Sequence, residues 1–350
     1  MSNQKIIDDI NGAIGGDRVY ATKEKELKQA RIDFDYEKKT EVEHNKKILS
    51  GLNLEDYSEE RVEQLTTSLD EYLENCKSCK VFINDAFRGF VPFFRKNIIL
   101  MGAVSGAGKS TTTANIALAT IAQGEKCLVL TNEEAPEDVY GRVVALIKGW
   151  SYTKHENFSE EQKKVTLEMI KVLSQKLIVV DPNYMGMKDV TNSVEGITDL
   201  LDTVLRNKNK FGCIIIDYYQ NIRFSKLNPN LEKHVVLDRV SGYLDNFKNQ
   251  YTAPVVLLSQ LNPPGKKDAQ IDFVERIGGR KIIYDRCTTA IEIKAIRDKG
   301  LTEFIFHKSR FNDCVGKSIM CGFDKGRYVK YDADYIRTME RNDLDKLKGK

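Results

Sequence analysis

The sequence predicts an α/β fold: a central, mostly parallel sheet, β-hairpins toward the C-terminus and a small helical region at the N-terminus. Three observations predict it. From about Val81 short apolar runs alternate with helical stretches, the first run feeds a Gly-rich loop that opens a helix, and after about Cys287 the runs close up to hairpin spacing.

The chain has 350 residues, enough for one large α/β domain and a smaller appendage. With 41% hydrophobic and 30% charged residues it can build a sizeable core, and global disorder is not expected. Lys and Arg total 54 against 51 Asp and Glu, a net charge of +3. A nucleic-acid partner must therefore be met by a local basic stripe and not by the whole surface. No apolar run approaches the roughly 20 residues needed to span a bilayer. Met1–Gly16 lacks the basic-then-apolar pattern of a signal peptide, so a cytoplasmic protein is expected. Cys76 and Cys79 form one CxxC with no second pair, and the four histidines lack ligand spacing. Reduced thiols are expected here, not a zinc site.

Residues 1–80 form a charged, helical region. Ser58 is a plausible N-cap with Glu59 and Glu60 in the first turn, and Val62, Leu65, Leu69, Tyr72 and Leu73 make one apolar stripe. That helix either packs on its own domain or docks on a neighbouring subunit. Residues 81–335 carry the alternating pattern, and 336–350 are a charged tail. Asn97–Met101, Cys127–Thr131, Leu177–Val180, Cys213–Asp217 and Pro254–Ser259 read as parallel strands, near-continuously apolar because both faces must be covered. Thr288–Ala295 and Leu301–Lys308 flank the turn Asp298-Lys299-Gly300, and Ser318–Phe323 with Arg327–Tyr331 forms a second hairpin.

The strongest chemical signal is Ala103-Val104-Ser105-Gly106-Ala107-Gly108-Lys109-Ser110, the Walker A arrangement of strand, Gly-rich loop and helix. Its glycines let backbone N–H groups curl round a phosphate, and the helix N-terminus adds its dipole. Lys109 reaches toward the β- and γ-phosphates and Ser110 toward Mg²⁺. The reaction class is left to the other strand ends. Glu133 and Glu134 follow the second strand, where a carboxylate can activate a water for hydrolysis, although a helix-capping pair would look the same. Asp217 ends the fourth strand in the Walker B manner, placing a carboxylate near Mg²⁺. Gln260 ends the fifth, at the sheet edge where α/β folds bind ligands, and can report a γ-phosphate.

These sites, in this order, resemble the DnaB-type replicative helicases of the phage or bacterial kind, a RecA-like P-loop family. The resemblance rests on Ala103 opening the loop, Glu133 followed nine residues later by Arg142, Asp217-Tyr218-Tyr219-Gln220, Leu258-Ser259-Gln260-Leu261-Asn262 and Lys308-Ser309-Arg310. It covers about residues 82–332. It implies ATP with Mg²⁺ at the seams of a ring, usually a hexamer, that unwinds DNA. Ala103, Ser105 to Thr111 and Arg142 would hold the nucleotide. That stretch includes Ser105, Gly106, Ala107, Gly108, Lys109, Ser110 and Thr111. Ser110 and Asp217 would hold the metal, Glu133, Lys109 and Gln260 would act on the phosphates, and Lys308 and Arg310 would reach the next subunit's nucleotide. Single-stranded DNA, further copies of the chain and a primase or helicase loader are the implied partners.

Two segments carry the basic residues that would face a DNA strand. Lys266, Lys267, Arg276, Arg280 and Lys281 follow the fifth strand, and Arg223, Lys226 and Lys233 follow the fourth. Such contacts to phosphate are sequence-independent and salt-sensitive. The sequence departs from the family at Gly279–Tyr284, which is basic and apolar where the family is acidic, and in one extra residue between Arg310 and Gly316. The first 80 residues match neither the family's usual N-terminal domain nor a primase, so primer synthesis is not expected. A RecA-like recombinase and a nucleotide-gated scaffold or loader are the alternative readings.

Overall fold

The chain divides into two compact units, Met1–Glu71 and Tyr72–Lys350. The computed structural model describes residues 82–87, 90, 97–151, 158–180, 193–206, 211–222, 225, 227–228, 230–250, 253–263, 272–277, 281–310, 313–332 and 336, all within the second unit. The expected helix at Ser58–Leu73, the Cys76/Cys79 pair and most of the 336–350 tail lie outside the described residues. Among the described residues no helix is long and apolar enough to cross a membrane, and no His/Cys/Asp/Glu cluster could hold a metal ion by itself.

Among the described residues nine strands form one sheet. In chain order they are β1 (Ile98–Ala103), β2 (Cys127–Thr131), β3 (Leu177–Val180), β4 (Cys213–Asp217), β5 (Val255–Gln260), β6 (Thr289–Ile296), β7 (Leu301–Ser309), β8 (Ser318–Asp324) and β9 (Arg327–Lys330), and across the sheet they run β3-β2-β4-β5-β1-β6-β7-β8-β9. β3 through β6 in that spatial order are parallel, and β7, β8 and β9 continue the sheet antiparallel. The five expected parallel strands and both hairpins are present, with ends shifted by a residue or two. The expected first hairpin arm, however, is also a sixth parallel strand: β6 pairs with β1 from Ile99↔Thr289 to Ala103↔Ile293. Gly300 closes the β6–β7 turn at φ 59°, a conformation that an L side chain resists.

Helices cover both faces, which is why the strands are apolar throughout. Every residue of β1, β2 and β4 is buried, and so is β5 except Gln260. Alternate side chains sort to opposite faces. Ile99, Met101, Val129, Ile215, Val256 and Leu258 pack with helices α1 (Lys109–Ala122) and α2 (Pro136–Lys148). Ile98, Leu100, Leu128, Ile214, Ile216 and Leu257 pack with α4 (Val194–Arg206) and α5 (Lys233–Gln250). Local chemistry sets the helix ends: Pro136 sits at the first turn of α2 with Glu137 and Asp138, and Ser159 and Gln162 make a reciprocal capping box on α3 (Glu160–Leu173). Two short helices, α6 (Phe273–Arg276) and α7 (Lys281–Arg286), return the chain from β5 to β6.

One side chain completes the sheet. Beyond the last β4–β5 pair, Ile216↔Leu257, the Gln220 amide takes the place of a peptide group. Its Oε1 accepts from Gln260 N at 3.1 Å, and its Nε2 donates to Gln260 O at 3.0 Å and to Ser259 Oγ. Gln220→Leu leaves these buried groups unpaired and is expected to lower stability by ~1–3 kcal/mol. Urea unfolding measures it, and an unchanged midpoint would show that water replaces the amide at no cost.

Candidate functional site

Parallel register brings the tips of β1 and β5 level, Ala103 facing Gln260 on one side and, on the other, Ile293 of β6, which runs three residues further to Ile296. Past that level runs the loop from Val104 to Gly108. Ala107 N donates to Val104 O at 3.1 Å, closing a turn, and Gly106 and Gly108 hold φ of 73° and 103°. Within α1 the first N–H to find a helical partner is that of Thr112, which donates to Gly108 O at 2.8 Å. The preceding N–H groups of the turn are the ones a helix start offers to an anion. Ala103 belongs to β1 and is fully buried, so it packs under the loop and is not part of the phosphate cradle. Lys109, the first residue of α1, is buried with its ammonium 5.8 Å from the Tyr218 ring centroid.

The carboxylates gather beside it. Thr131 faces Asp217 across the β2–β4 pair, so Glu133 and Glu134 emerge next to the end of β4. Asp217 is 6% exposed; Thr113 Oγ1 donates to its Oδ2 at 2.8 Å, while Oδ1 is buried with no partner among the described residues. Burial pushes the Asp217 carboxyl up to about 6, against the Thr113 hydrogen bond, with the charges of Glu134 and Glu133 adding to the rise and Lys109 opposing it. An orphaned carboxylate oxygen beside α1, whose Thr113 bonds to the same carboxylate, and crowded by negative charge, suits a hard divalent cation such as Mg²⁺. Glu133 is exposed, without a hydrogen-bond or ion-pair partner among the described residues. Gln260 has its backbone clasped by Gln220 and its side chain exposed at the strand tip.

Arg142 reaches back from α2 to Glu134, donating from Nε at 3.2 Å and from Nη2 at 2.7 Å. It also walls a pocket of about 330 Å³ with Thr111, Ala114, Leu146, Ser151, Phe323, Lys325 and Gly326. This pocket opens beside the first turn of α1, and its size admits the nucleoside end of a nucleotide.

Several residues at the site carried no motif. Arg297, at the β6–β7 turn, donates to Gly106 O at 3.1 Å. Tyr328 of β9 contacts Thr112 Oγ1 at 3.2 Å, and its backbone N donates to Asn115 Oδ1 at 3.1 Å. Arg327 ties the same strand to the end of α2 through Leu146 O at 2.6 Å. The signal for Arg297 lay in β6: once that strand is parallel to β1, its turn must overhang the loop.

The basic residues divide. Arg223, Lys226, Lys266, Lys267 and Arg280 lie outside the described residues, and Lys281 is exposed at the start of α7. Arg276 corrects an expectation. Its guanidinium is 2.7 Å from Glu292 Oε1 and donates to Asn262 O at 3.2 Å, and both charged side chains are nearly buried. His307 stands 3.1 Å from the other Glu292 oxygen and stacks on Phe273 at 4.4 Å. Burial alone would raise the Glu292 carboxyl, but His307 and Arg276 outweigh it and hold it below the usual range. Arg276 is thus a brace at the foot of its segment, its charge already matched, and not a cation open to a DNA phosphate.

Lys308 and Arg310 sit far from the loop of their own protomer. Ala290 faces both Lys308 and Leu100, and Arg310 N donates to Thr288 O at 3.0 Å, so the pair lies at the amino edge of the sheet. Their ammonium and guanidinium groups cap the last turn of α7: Lys308 Nζ donates to Tyr284 O and, at 2.9 Å, to Asp285 O, and Arg310 Nη2 donates to Asp285 O at 2.8 Å. Cations at a helix C-terminus complement its dipole. Burial lowers the Lys308 ammonium, and Arg310 adds to the effect.

Folding changes how tightly Asp217 holds its proton. Its carboxyl rises from 3.8 to about 6, so between those values the folded chain keeps a proton that the unfolded chain releases. Metal-free protein is therefore expected to lose stability as pH rises from about 4 to 6, by about 3 kcal/mol in all, and to level off above. Asp217→Asn should flatten that trend in chelator-treated samples melted across the range. An identical pH trend in the variant would assign it to another group.

A family model for the DnaB-like helicase C terminal domain matches residues 81–269, more than half of the chain. No curated protein matches the chain by sequence. Among solved structures, one ATPase domain superposes with a TM-score of 0.59 at 16% identity, covering 79% of this chain and all of that one. A DnaB-like replicative helicase studied for its interactions with primase gives 0.59 at 15% identity, over 84% of this chain and 77% of that one. At such identities the structures establish a shared RecA-like fold, and the family match adds the lineage. With a phosphate loop, two flanking carboxylates and this sheet order, the chain belongs to the DnaB-like helicases, ATP-hydrolysing enzymes that act on DNA.

Proposed function

We propose that this chain assembles into a ring, a hexamer in the family's usual form, that hydrolyses ATP at its subunit seams and moves along single-stranded DNA to unwind duplex. The observation that carries the seam is the position of Lys308 and Arg310. Level with the start of β1, they stand about five residues of strand from the loop at its other end, roughly 16 Å at the usual rise. If these cations stabilise a transferring phosphoryl group, it is another copy's. The N-terminal region, 1–80, is assigned to docking between copies, and the core to 81–335.

Within one protomer the amides from Gly108 to Thr111, with Lys109, grip the β- and γ-phosphates, and the nucleoside end fills the pocket beside Arg142. Ser110 and Asp217 would hold Mg²⁺, which would supply positive charge to offset that of the phosphates. Glu133 takes a proton from water; the water oxygen bonds to the γ-phosphorus as the bond to the β,γ-bridging oxygen breaks, and ADP leaves with that electron pair. Gln260 senses the γ-phosphate at the tip of β5. Arg223, Lys226, Lys266, Lys267, Arg280 and Lys281 meet DNA phosphates, and the charge they neutralise makes binding fall with salt. A primase or loader is a further partner of the assembled ring.

Two mutations test this reading. Lys109→Ala is expected to abolish hydrolysis and strand displacement on a forked substrate, and near-normal turnover would discredit the phosphate site. Arg310→Ala should lose about 10³-fold or more in ATP turnover, as removal of a trans-acting arginine does. Mixed with Glu133→Ala protomers, it should recover part of that turnover, because some seams then pair an intact base with an intact arginine. Mixtures as inactive as either parent would remove the shared site. Strand exchange by extended filaments, seen by electron microscopy, would instead favour a recombinase.

A further inference from the structure

Two glutamates follow β2, and the structure treats them differently. The residues around Glu133 are each fixed by their neighbours. Thr131 Oγ1 donates to Glu134 O at 2.9 Å and accepts from Glu134 N at 3.1 Å. Asn132 N donates to Asp217 O at 2.7 Å, and Asn132 O accepts from Asn221 Nδ2 at 2.8 Å. Glu134 is then clipped by both Arg142 bonds, the two side chains only 20% and 22% exposed. A two-bond carboxylate–guanidinium pair fixes orientation as well as distance. Glu133 alone presents an exposed carboxylate that makes no hydrogen bond or ion pair with another described residue.

We propose that Glu134 is a positioning residue for hydrolysis: clipped to Arg142, it fixes the turn that presents Glu133 to the attacking water. The clip also removes a rival. Glu134 lies near enough that its charge weighs on Asp217 more than that of Glu133, yet its oxygens are occupied and its charge is matched. Because Arg142 walls the nucleoside pocket, the clip joins the binding end of the site to the turn that carries the base. The inference rests on Glu133 being that base.

The test uses full-length protein with saturating Mg²⁺-ATP and a thymidine oligonucleotide. Glu134→Gln should lower kcat about tenfold with KM for ATP within about twofold, whereas Glu133→Gln should cost about 10²-fold or more. Glu134→Asp, which restores the carboxylate, should recover much of the loss. Full kcat in Glu134→Gln, or a loss that falls on KM, overturns the proposal. So does a Glu134→Gln enzyme as inactive as Glu133→Gln, since Glu134 would then be the base. Should Glu134→Gln fail to fold, Arg142→Lys keeps the charge and gives up the two-bond geometry; a tenfold lower kcat supports the clip and an unchanged kcat refutes it. Wild-type turnover in Glu133→Gln is a separate failure, of the assignment of the base.

Discussion

The site depends on one constraint, the parallel register of β1 with both its neighbours. A strand buried on both faces and paired on both edges has no freedom to slide, because a one-residue slip would turn its side chains to the wrong face. That register sets the loop from Val104 to Gly108 level with Gln260 and beneath the β6–β7 turn. The apolar packing of Ile98 to Ala103 is thus what holds the polar groups in place, although none of those residues is chemically active.

Electrostatics at this edge is a matter of balance. Asp217, Glu133 and Glu134 crowd a small volume, and Lys109 and Arg142 are the cations beside them. Arg142 neutralises one carboxylate through hydrogen bonds, leaving Asp217 and Glu133 with less negative charge to share. An unpartnered Asp217 oxygen in a buried setting is costly without a ligand, a cost that a bound cation would remove. The same logic runs the other way at Glu292. There a guanidinium and an imidazole flank one buried carboxylate, and the result is a fixed joint with no opening for chemistry.

Much of this was legible in the sequence because strands and phosphate loops are local. Continuous apolar runs such as Cys213–Asp217 announce parallel strands, and Gly-Lys-Ser after a strand announces an anion site. What was not legible depends on contacts across the chain. Thr289–Ile296 reads as a hairpin arm, and nothing local says that its other edge joins β1. Arg276 reads as one more basic residue in a basic segment until Glu292, sixteen positions on and on a different element, is seen to hold it. The two glutamates after β2 look alike in sequence, and only the reach of Arg142 across the first turns of α2 tells them apart.

The Gln220 amide acts as a fastener of an unusual kind. A peptide pair in the middle of a sheet can be broken only by peeling strands apart. A side chain that imitates a peptide can swing away on its own rotamers while the strands stay joined. The tip of β5 is therefore held by a weld on one edge, where Ala103 faces Gln260 and Leu261 N donates to Ala103 O at 2.8 Å, and by a latch on the other, so the edge facing β4 can be opened and closed while the edge facing β1 stays joined.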